Sequence, residues 1–308
     1  MNPKVSVIIP NYNHASFLSQ RLKSVYEQTY ENFEVILLDD CSSDDSSKIL
    51  QQYASHPKTS HIVFNEKNSG SPFAQWEKGI GLAGGEYIWI AESDDFCEID
   101  FLEKLIPLFS KKENIGLVYS RSDNVDENGN FYDHFWPDNL DAQRWKSSYY
   151  NEGKNEIRNF LKFRNTIPNA SACIFRKQEF DFTIIKTMFY SGDWLFWVTI
   201  LLTSNISFCS EVLNHFRFHD KTTRSQKLAN NKKYIEYSYV LSFIYSSINE
   251  KLAYERNHFW IYYEIRKQSI SMLFLFRKAR PLFYAYSFFR YKLLKHQIRT
   301  KIYTDEAQ

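Results

Sequence analysis

The chain has only four cysteines, Cys41, Cys97, Cys173 and Cys209, and none stands in a CxxC pair or at Cys/His spacing. That scatter points away from a zinc site or disulfide framework and toward unpaired thiols in a reducing compartment. No run of about 18 uninterrupted apolar residues occurs, so no membrane-spanning helix is expected. The apolar stretch Val5–Ile9 is short and bounded by Pro3 and Pro10, which makes it a first strand rather than a signal peptide. The expected location is therefore cytoplasmic. No internal repeat is present. A net charge of +2 supplies no global field that would attract nucleic acid.

The residues that are present describe an ordinary folding chain, with 44% hydrophobic and 24% charged residues. At 308 residues it has room for one large domain or two. Charge is unevenly placed: acidic clusters lie in the first third, whereas Arg266 to Lys301 is basic throughout. Aromatic residues reach 18% and crowd the C-terminal third.

Strand and helix patterns alternate through the first 120 residues. Val5–Ile9, Glu34–Leu38, His61–Phe64, Tyr87–Ala91 and Leu117–Tyr119 are short apolar runs of strand type. Between them, apolar residues at helical spacing predict helices over Ala15–Gln28, through Ile49, Leu50 and Tyr53, over Phe73–Leu82, and through Leu102, Leu105, Ile106 and Phe109. Asn13 is placed to cap the first helix, and Ser42-Ser43-Asp44 to cap the second. Unbroken apolar strands separated by helices imply an α/β fold, with a doubly wound and mostly parallel sheet flanked by helices. Beyond Arg121 the pattern loosens. Asp126–Asn130 reads as a hairpin tip and Phe135–Tyr150 as a loop over a site. Ala170–Phe175, Ile206–Cys209 and Val212–Phe218 read as strands, Trp194–Leu202 as a helix, and the chain from Lys232 onward as helical. The expected division is an α/β domain over residues 1–228 and a helical, aromatic and basic extension over 229–308.

The strongest chemical signal is Ala91-Glu92-Ser93-Asp94-Asp95-Phe96, three acidic residues at the end of an apolar strand. The carboxyl edge of an open α/β sheet is where such folds bind ligands. Adjacent carboxylates repel unless a cation neutralises them. Hard oxygen ligands there point to Mg²⁺ or Mn²⁺ holding a phosphate-bearing substrate. A solvated acidic turn, or a cap before Phe101-Leu102, is the competing explanation.

Other segments fall into a recognisable order. Pro10-Asn11-Tyr12-Asn13, Gln28-Thr29-Tyr30 and Glu34 to Asp44 come first; Asn68-x-Gly70, Gly85-Glu86-Tyr87-Ile88 and Glu92-Ser93-Asp94-Asp95 follow. Gly192-Asp193-Trp194 and Arg217-x-His219, with Thr222, Thr223 and Ser225, complete the set. From Val5 to Ser225 the chain resembles the inverting family 2 glycosyltransferases of GT-A fold, of the type that builds bacterial cell-surface polysaccharide.

That resemblance implies nucleotide binding by Pro10, Tyr12, Asp39, Asp40, Asp94 and Arg217, with Tyr12 covering the base and Asp39 accepting from a uracil N3–H or ribose hydroxyl. It implies a divalent ion, Mn²⁺ or Mg²⁺, held by Asp95 as direct ligand and by His219. Asp193 is implied as the general base that takes the proton from an acceptor hydroxyl. Helix capping is the structural alternative for Asp39-Asp40 and for Asp193. Glu92 stands where many relatives have Asp, and Ala74-Gln75-Trp76 replaces a common Ala-Arg-Asn, leaving Trp76 to pack where an Arg would touch nucleotide.

The implied function is transfer of a sugar from a nucleotide-diphosphate donor, most simply a UDP-sugar, to a saccharide or lipid-linked saccharide hydroxyl. The basic aromatic tail offers either docking on an anionic membrane, which would place the protein on the inner face of the cytoplasmic membrane, or packing in a homo-oligomer. Nucleic acid is not an expected partner, because no recognition motif accompanies the charge. A nucleotidyltransferase acting on sugar phosphates is the rival enzyme class, but the loop at Pro10–His14 lacks the basic glycine-rich character it would want. A non-catalytic sugar-nucleotide-binding relative is the other rival.

Overall fold

The structure is a computed structural model, and it describes residues 5–133, 141, 143–167, 169–219 and 231–249. The chain separates into two compact units, Met1–Gln226 and Lys227–Gln308.

The first unit begins with β1 (Val5–Asn11), α1 (Ala15–Tyr26), β2 (Phe33–Asp39), α2 (Ser46–Gln51), β3 (Thr59–Phe64), α3 (Pro72–Leu82) and β4 (Tyr87–Ile90). Then come β5 (Phe96–Cys97), α4 (Phe101–Leu105), β6 (Ile115–Val125), β7 (Phe131–Asp133), β8 (Tyr149–Asn151) and α5 (Gly153–Glu156). It ends with β9 (Cys173–Arg176), α6 (Gly192–Leu201) and β10 (Asn205–Arg217). In the second unit α7 (Asn231–Ser247) buries Val240, Leu241, Ile244 and Tyr245, which recur at helical spacing. The rest of the expected C-terminal helices, with the basic cluster at 266–301, lies outside the described residues. So do Lys221, Thr222, Thr223 and Ser225.

The sheet order is β3-β2-β1-β4-β9-β6-β10-β5, with β7 on β6 and β8 on β10. Strands β1, β2, β3 and β4 run parallel, and every residue of β1 and β2 is buried because both faces are covered. On one face Val5, Val7 and Ile9 join Leu18, Leu22, Phe101 and Leu105 in a core beneath α1 and α4. On the other face α3 presses on β1 so closely that a Cβ on Gly79 would lie 2.4 Å from Ile8 Cγ2. Helix α6 packs on α3 through Trp76, whose ring centroid is 5.8 Å from Phe196 and 5.9 Å from Trp197.

Some elements differ from the sequence pattern for local reasons. β9 runs antiparallel between β4 and β6, so the sheet is mixed beyond β4. Ala170–Ala172 forms a 3-10 turn before β9 rather than part of the strand. The expected strands at Ile206–Cys209 and Val212–Phe218 are one long β10 with a register break between Cys209 and Val212. Helix α4 tightens after Leu105 into a 3-10 segment at Pro107, which has no N–H to continue the ladder. Asp126–Asn130 is a hairpin tip between β6 and β7, closed by a left-handed Gly129 at φ +86°. Of the expected loop at Phe135–Tyr150, the described part contains a single 3-10 turn, Arg144–Lys146, and the start of β8.

Asn13 does not cap α1. It sits at φ 56°, and its Oδ1 accepts from the Ser43 N–H at 2.7 Å. The Ala15 N–H instead donates to Asp44 Oδ2 at 2.9 Å, while Asp44 Oδ1 accepts from Ser46 N at 3.0 Å. One carboxylate thus serves the starts of both α1 and α2.

Candidate active site

The order β3-β2-β1-β4 makes β1 the point where the chain, having wound outward to β3, returns to the other side. Loops leaving β1 and β4 therefore flank an open crevice, the topological switch point where doubly wound sheets take ligands.

On the β2 side, Asn11 is buried and its Nδ2 donates to Asp39 Oδ1 at 2.8 Å. Asp39 also accepts from Ser42 N at 2.9 Å and Ser42 Oγ at 2.6 Å. A carboxylate has about four acceptor positions, so Asp39 is fixed in place with capacity for one further donor. Asp40 faces elsewhere. It accepts from Asn65 Nδ2, Ser69 N, Ser69 Oγ and Gln75 Nε2, which fill its positions and tie the 65–75 segment to β2. Pro10 lies within β1, opposite Leu38. Tyr12 stands 47% exposed at the rim, free of the core and able to lie against a planar base.

At the end of β4, Asp94 is the carboxylate that meets the imidazoles. His219 Nε2 lies 3.1 Å from Asp94 Oδ2, and His14 Nδ1 lies 2.8 Å from Ser93 Oγ. One ligand atom each from His14, Asp94 and His219 can be chosen so that all lie within 4.8 Å of one another. Three chain segments converge here: the loop after β1, the loop after β4 and the residues just past β10. The last is placed by β5, whose antiparallel pairing sets Phe96 opposite His215 and Cys97 opposite Asn214.

Asp95, expected as the direct ligand, is not in this group. It is 1% exposed, its Oδ1 accepts from the Arg217 N–H at 2.9 Å, and its Oδ2 ends buried with no hydrogen-bond partner. It holds the β10 terminus against the β4 loop. The Arg217 guanidinium, expected at the diphosphate, is likewise turned inward. Its Nε donates to Asp94 O at 2.8 Å, its Nη1 to Asp126 O and Glu127 O, and its Nη2 to Gln20 Oε1 at 2.6 Å. Phe17 and Phe96 flank it at 4.9 and 5.3 Å.

The electrostatics separate the three carboxylates. Burial pushes Glu92 up to about 8, and the Asp94 charge adds to the shift. Burial and Asp94 push Asp95 up to about 7. Burial also opposes ionisation of Asp94, but His14 and His219 outweigh it and hold that carboxyl below its usual range. A strand end that keeps one carboxylate ionised at the cost of its two neighbours tolerates more negative charge only with a cation present. One carboxylate with two imidazoles is a donor set that suits a divalent ion of the first transition row. The residues fit a metal.

Glu92 points toward α3, where the Trp76 Nε1–H donates to its Oε1 at 2.8 Å. Trp76 thus ties α3 to the acidic loop.

Asp193 lies in the first turn of α6, two residues past the N-cap Ser191, where its carboxylate both serves the helix start and faces Asn165. Its Oδ1 accepts from the adjacent Trp194 N–H at 2.7 Å, and its Oδ2 from Asn165 Nδ2 at 3.0 Å. Gly192 is required beside it, because a Cβ there would lie 2.5 Å from Phe73 Cε2. Through Phe73 and Trp76 the α6 start is packed on the helix that carries the Glu92 contact.

His14 escaped the sequence pattern; it follows Asn13 directly, and its position just past β1 at the switch point was the available signal. Asn165, which the resemblance puts with Asn169 and Arg176 where acceptor contacts occur without fixing a role, lies in an irregular segment 28 residues from Asp193, and nothing local marks it as that residue's partner.

Comparison with known proteins agrees with this geometry. A family model described as glycosyl transferase family 2 matches residues 6–183. A chondroitin synthase of Escherichia coli is 36% identical over 138 residues, covering 44% of this chain and 20% of that protein. Glycosyltransferase GlyG of Streptococcus pneumoniae serotype 4 is 34% identical over 133 residues, covering 43% of this chain and 44% of its own. The matched part is thus less than half the length of either relative. Among solved structures, S. aureus TarS 1-349 in complex with UDP-GlcNAc superposes with a TM-score of 0.63 at 20% identity, covering 87% of this chain and 73% of that one. That likeness is one of fold. Strand order, the acidic loop at the switch point and the family match over more than half of the residues lead to one conclusion: the chain belongs to glycosyl transferase family 2.

Proposed function

We propose that this chain is an inverting, metal-dependent glycosyltransferase that moves a sugar from a nucleotide-diphosphate donor, a UDP-sugar, to a hydroxyl of a saccharide or lipid-linked saccharide during cell-envelope polysaccharide synthesis. The observation that carries it is the convergence of His14, Asp94 and His219 at the switch point between β1 and β4. Asp39 and Tyr12 supply a fixed acceptor and an open aromatic face for the nucleoside. A divalent ion, Mn²⁺ or Mg²⁺, held at Asp94 and His219 would offset the charge that develops on the departing diphosphate. Asp95 supports this loop from beneath.

Asp193 is the proposed base. It removes the acceptor hydroxyl proton as the oxygen attacks the anomeric carbon, and the nucleoside diphosphate leaves from the opposite face. One base and no protein nucleophile give a single displacement, hence inversion. Asn165 orients the carboxylate, and the exposed Phe163 nearby offers an apolar face to a sugar ring. The basic composition of 266–301 supports docking on anionic lipid, which would suit a lipid-linked acceptor. Among the described residues no helix is long and apolar enough to cross a membrane.

The test is a panel of UDP-, GDP- and dTDP-sugars scored for Mn²⁺-dependent donor hydrolysis and thermal stabilisation. Stabilisation by a UDP-sugar with Mn²⁺ is the expected result; indifference to every donor would remove the transferase reading. Cleavage of nucleoside triphosphate with a sugar phosphate would identify a nucleotidyltransferase instead.

A further inference from the structure

We propose that this chain grips its divalent cation with three protein side chains, His14, Asp94 and His219, and therefore binds the ion before the nucleotide arrives. The inference rests on the metal site of the proposed transferase and adds to it the third ligand and the order of binding.

Three observations carry it. His14 occupies the N-cap position of α1 but makes no side-chain cap bond, and the α1 terminus is served by Asp44 instead. Its side chain is directed to the β4 loop, where Nδ1 meets Ser93 Oγ at 2.8 Å. Ligating histidines are commonly oriented by a hydrogen bond at the second ring nitrogen, which leaves the other to the metal. Ser93 stands in that relation to His14. The His14 and His219 rings meet edge-on at 5.5 Å, and Phe17 packs against both at 6.2 and 4.7 Å, so the two imidazoles are held in place together.

A cation held by only two protein groups depends on phosphate oxygens to complete its shell. Three donors on separate, packed elements form a site that needs little ordering when the ion enters. Three protein ligands with further positions open is also the pattern of catalytic metal sites that later admit a substrate. Two imidazoles beside a single carboxylate favour Mn²⁺, Co²⁺ or Zn²⁺ over Mg²⁺, which prefers all-oxygen surroundings. The ion would then tie the loop after β1 to the end of β10, closing the crevice floor before the diphosphate is bound.

The test is a titration of metal-stripped full chain with Mn²⁺, following the free-ion signal by electron paramagnetic resonance, with and without UDP. The wild type is expected to take up one equivalent of Mn²⁺ without UDP, and Mg²⁺ in large excess to displace it poorly. His14→Ala is expected to weaken nucleotide-free binding by about tenfold or more, while UDP restores Mn²⁺ uptake to within a few-fold of the wild type. His14→Gln, close in size to the imidazole, gives the same readout should the alanine variant melt early. Uptake by the wild type only when UDP is present, or nucleotide-free uptake by both variants equal to the wild type, overturns the inference and leaves the transferase reading standing. No uptake under either condition would overturn both.

Discussion

Trp76 Nε1 donates to Glu92 Oε1 across 2.8 Å, so a buried indole on α3 is bonded to the first carboxyl of the acidic loop. Glu92 is protonated more readily than an ordinary glutamate because burial and the Asp94 charge push it up to about 8. The pair is an anchor for the loop that carries Asp94. Trp76→Phe keeps an aromatic ring facing Phe196 and Trp197 but deletes the donor together with part of the indole, so a Phe variant of Trp76 is compared with Glu92→Leu, which removes the acceptor without touching the indole. The expected cost is about 1–3 kcal/mol, the usual penalty for orphaning a buried polar group. Urea denaturation of wild type and both variants measures it, and equal midpoints would show that the bond anchors nothing.

Asp94 and Asp95 should separate by phenotype. Asp94→Ala is expected to erase the Mn²⁺ dependence of UDP binding with little change in melting temperature. Asp95→Ala leaves the buried Arg217 N–H without its acceptor. It should lower stability by about 1–3 kcal/mol, or roughly 2–4 °C per kcal/mol in a domain of this size. Calorimetric melting beside UDP titration with and without Mn²⁺ distinguishes them. Metal dependence lost in Asp95→Ala at an unchanged melting temperature would return the ligand role to Asp95.

Asp193→Asn keeps the shape of the side chain and removes the base. Turnover should fall by about 10²–10⁴-fold while the affinity for UDP is unchanged. Asn165→Ala should fall less, because Asp193 keeps its carboxylate and loses only the hydrogen bond that orients it. A variant at position 193 that keeps more than a tenth of wild-type turnover would leave that aspartate with a structural part only.

Thiol chemistry tests the packing of the sheet. Burial pushes Cys97 up to about 11, Cys173 well above the ordinary range, and Cys209 upward, whereas Cys41 is exposed. An aromatic disulfide reagent should modify one thiol in the native protein at pH 7 and at pH 9, and four in guanidinium. Cys41→Ser should abolish the native reaction. A second fast thiol in the native state would contradict the burial of β5, β9 or β10.

The basic C-terminal cluster makes a separate claim. If it docks on anionic lipid, the protein floats with phosphatidylserine vesicles at low salt and is released as salt rises, each Lys or Arg contributing about 1 kcal/mol. Glutamate at Arg277, Lys278 and Arg280 should release it without changing donor hydrolysis. Failure to float at low salt, with loss of a dimer on truncation, would assign the tail to self-association.

The sequence by itself determined the alternation of buried strands with amphipathic helices, because a strand covered on both faces must be apolar throughout and a helix must repeat every three to four residues. It also marked the strand ends at Asp39 and at Asp94-Asp95 as candidate chemical positions, since local order alone puts polar residues where a buried strand stops, whereas Asp193 at a helix start was singled out only by the family resemblance. What it could not give is which of two neighbouring carboxylates turns outward. That was decided by β5, whose two-residue pairing with β10 brings the Arg217 amide onto Asp95 and leaves Asp94 to His219. Nor could it show that His14, 80 residues before Asp94, shares a site with it: only the return of the chain from β3 to β4 across β1 puts their loops side by side. The same holds for Asn165 and Asp193, and for Trp76 and Glu92. Periodicity records what each segment buries, whereas the partners of a polar side chain are set by the order of strands in the sheet.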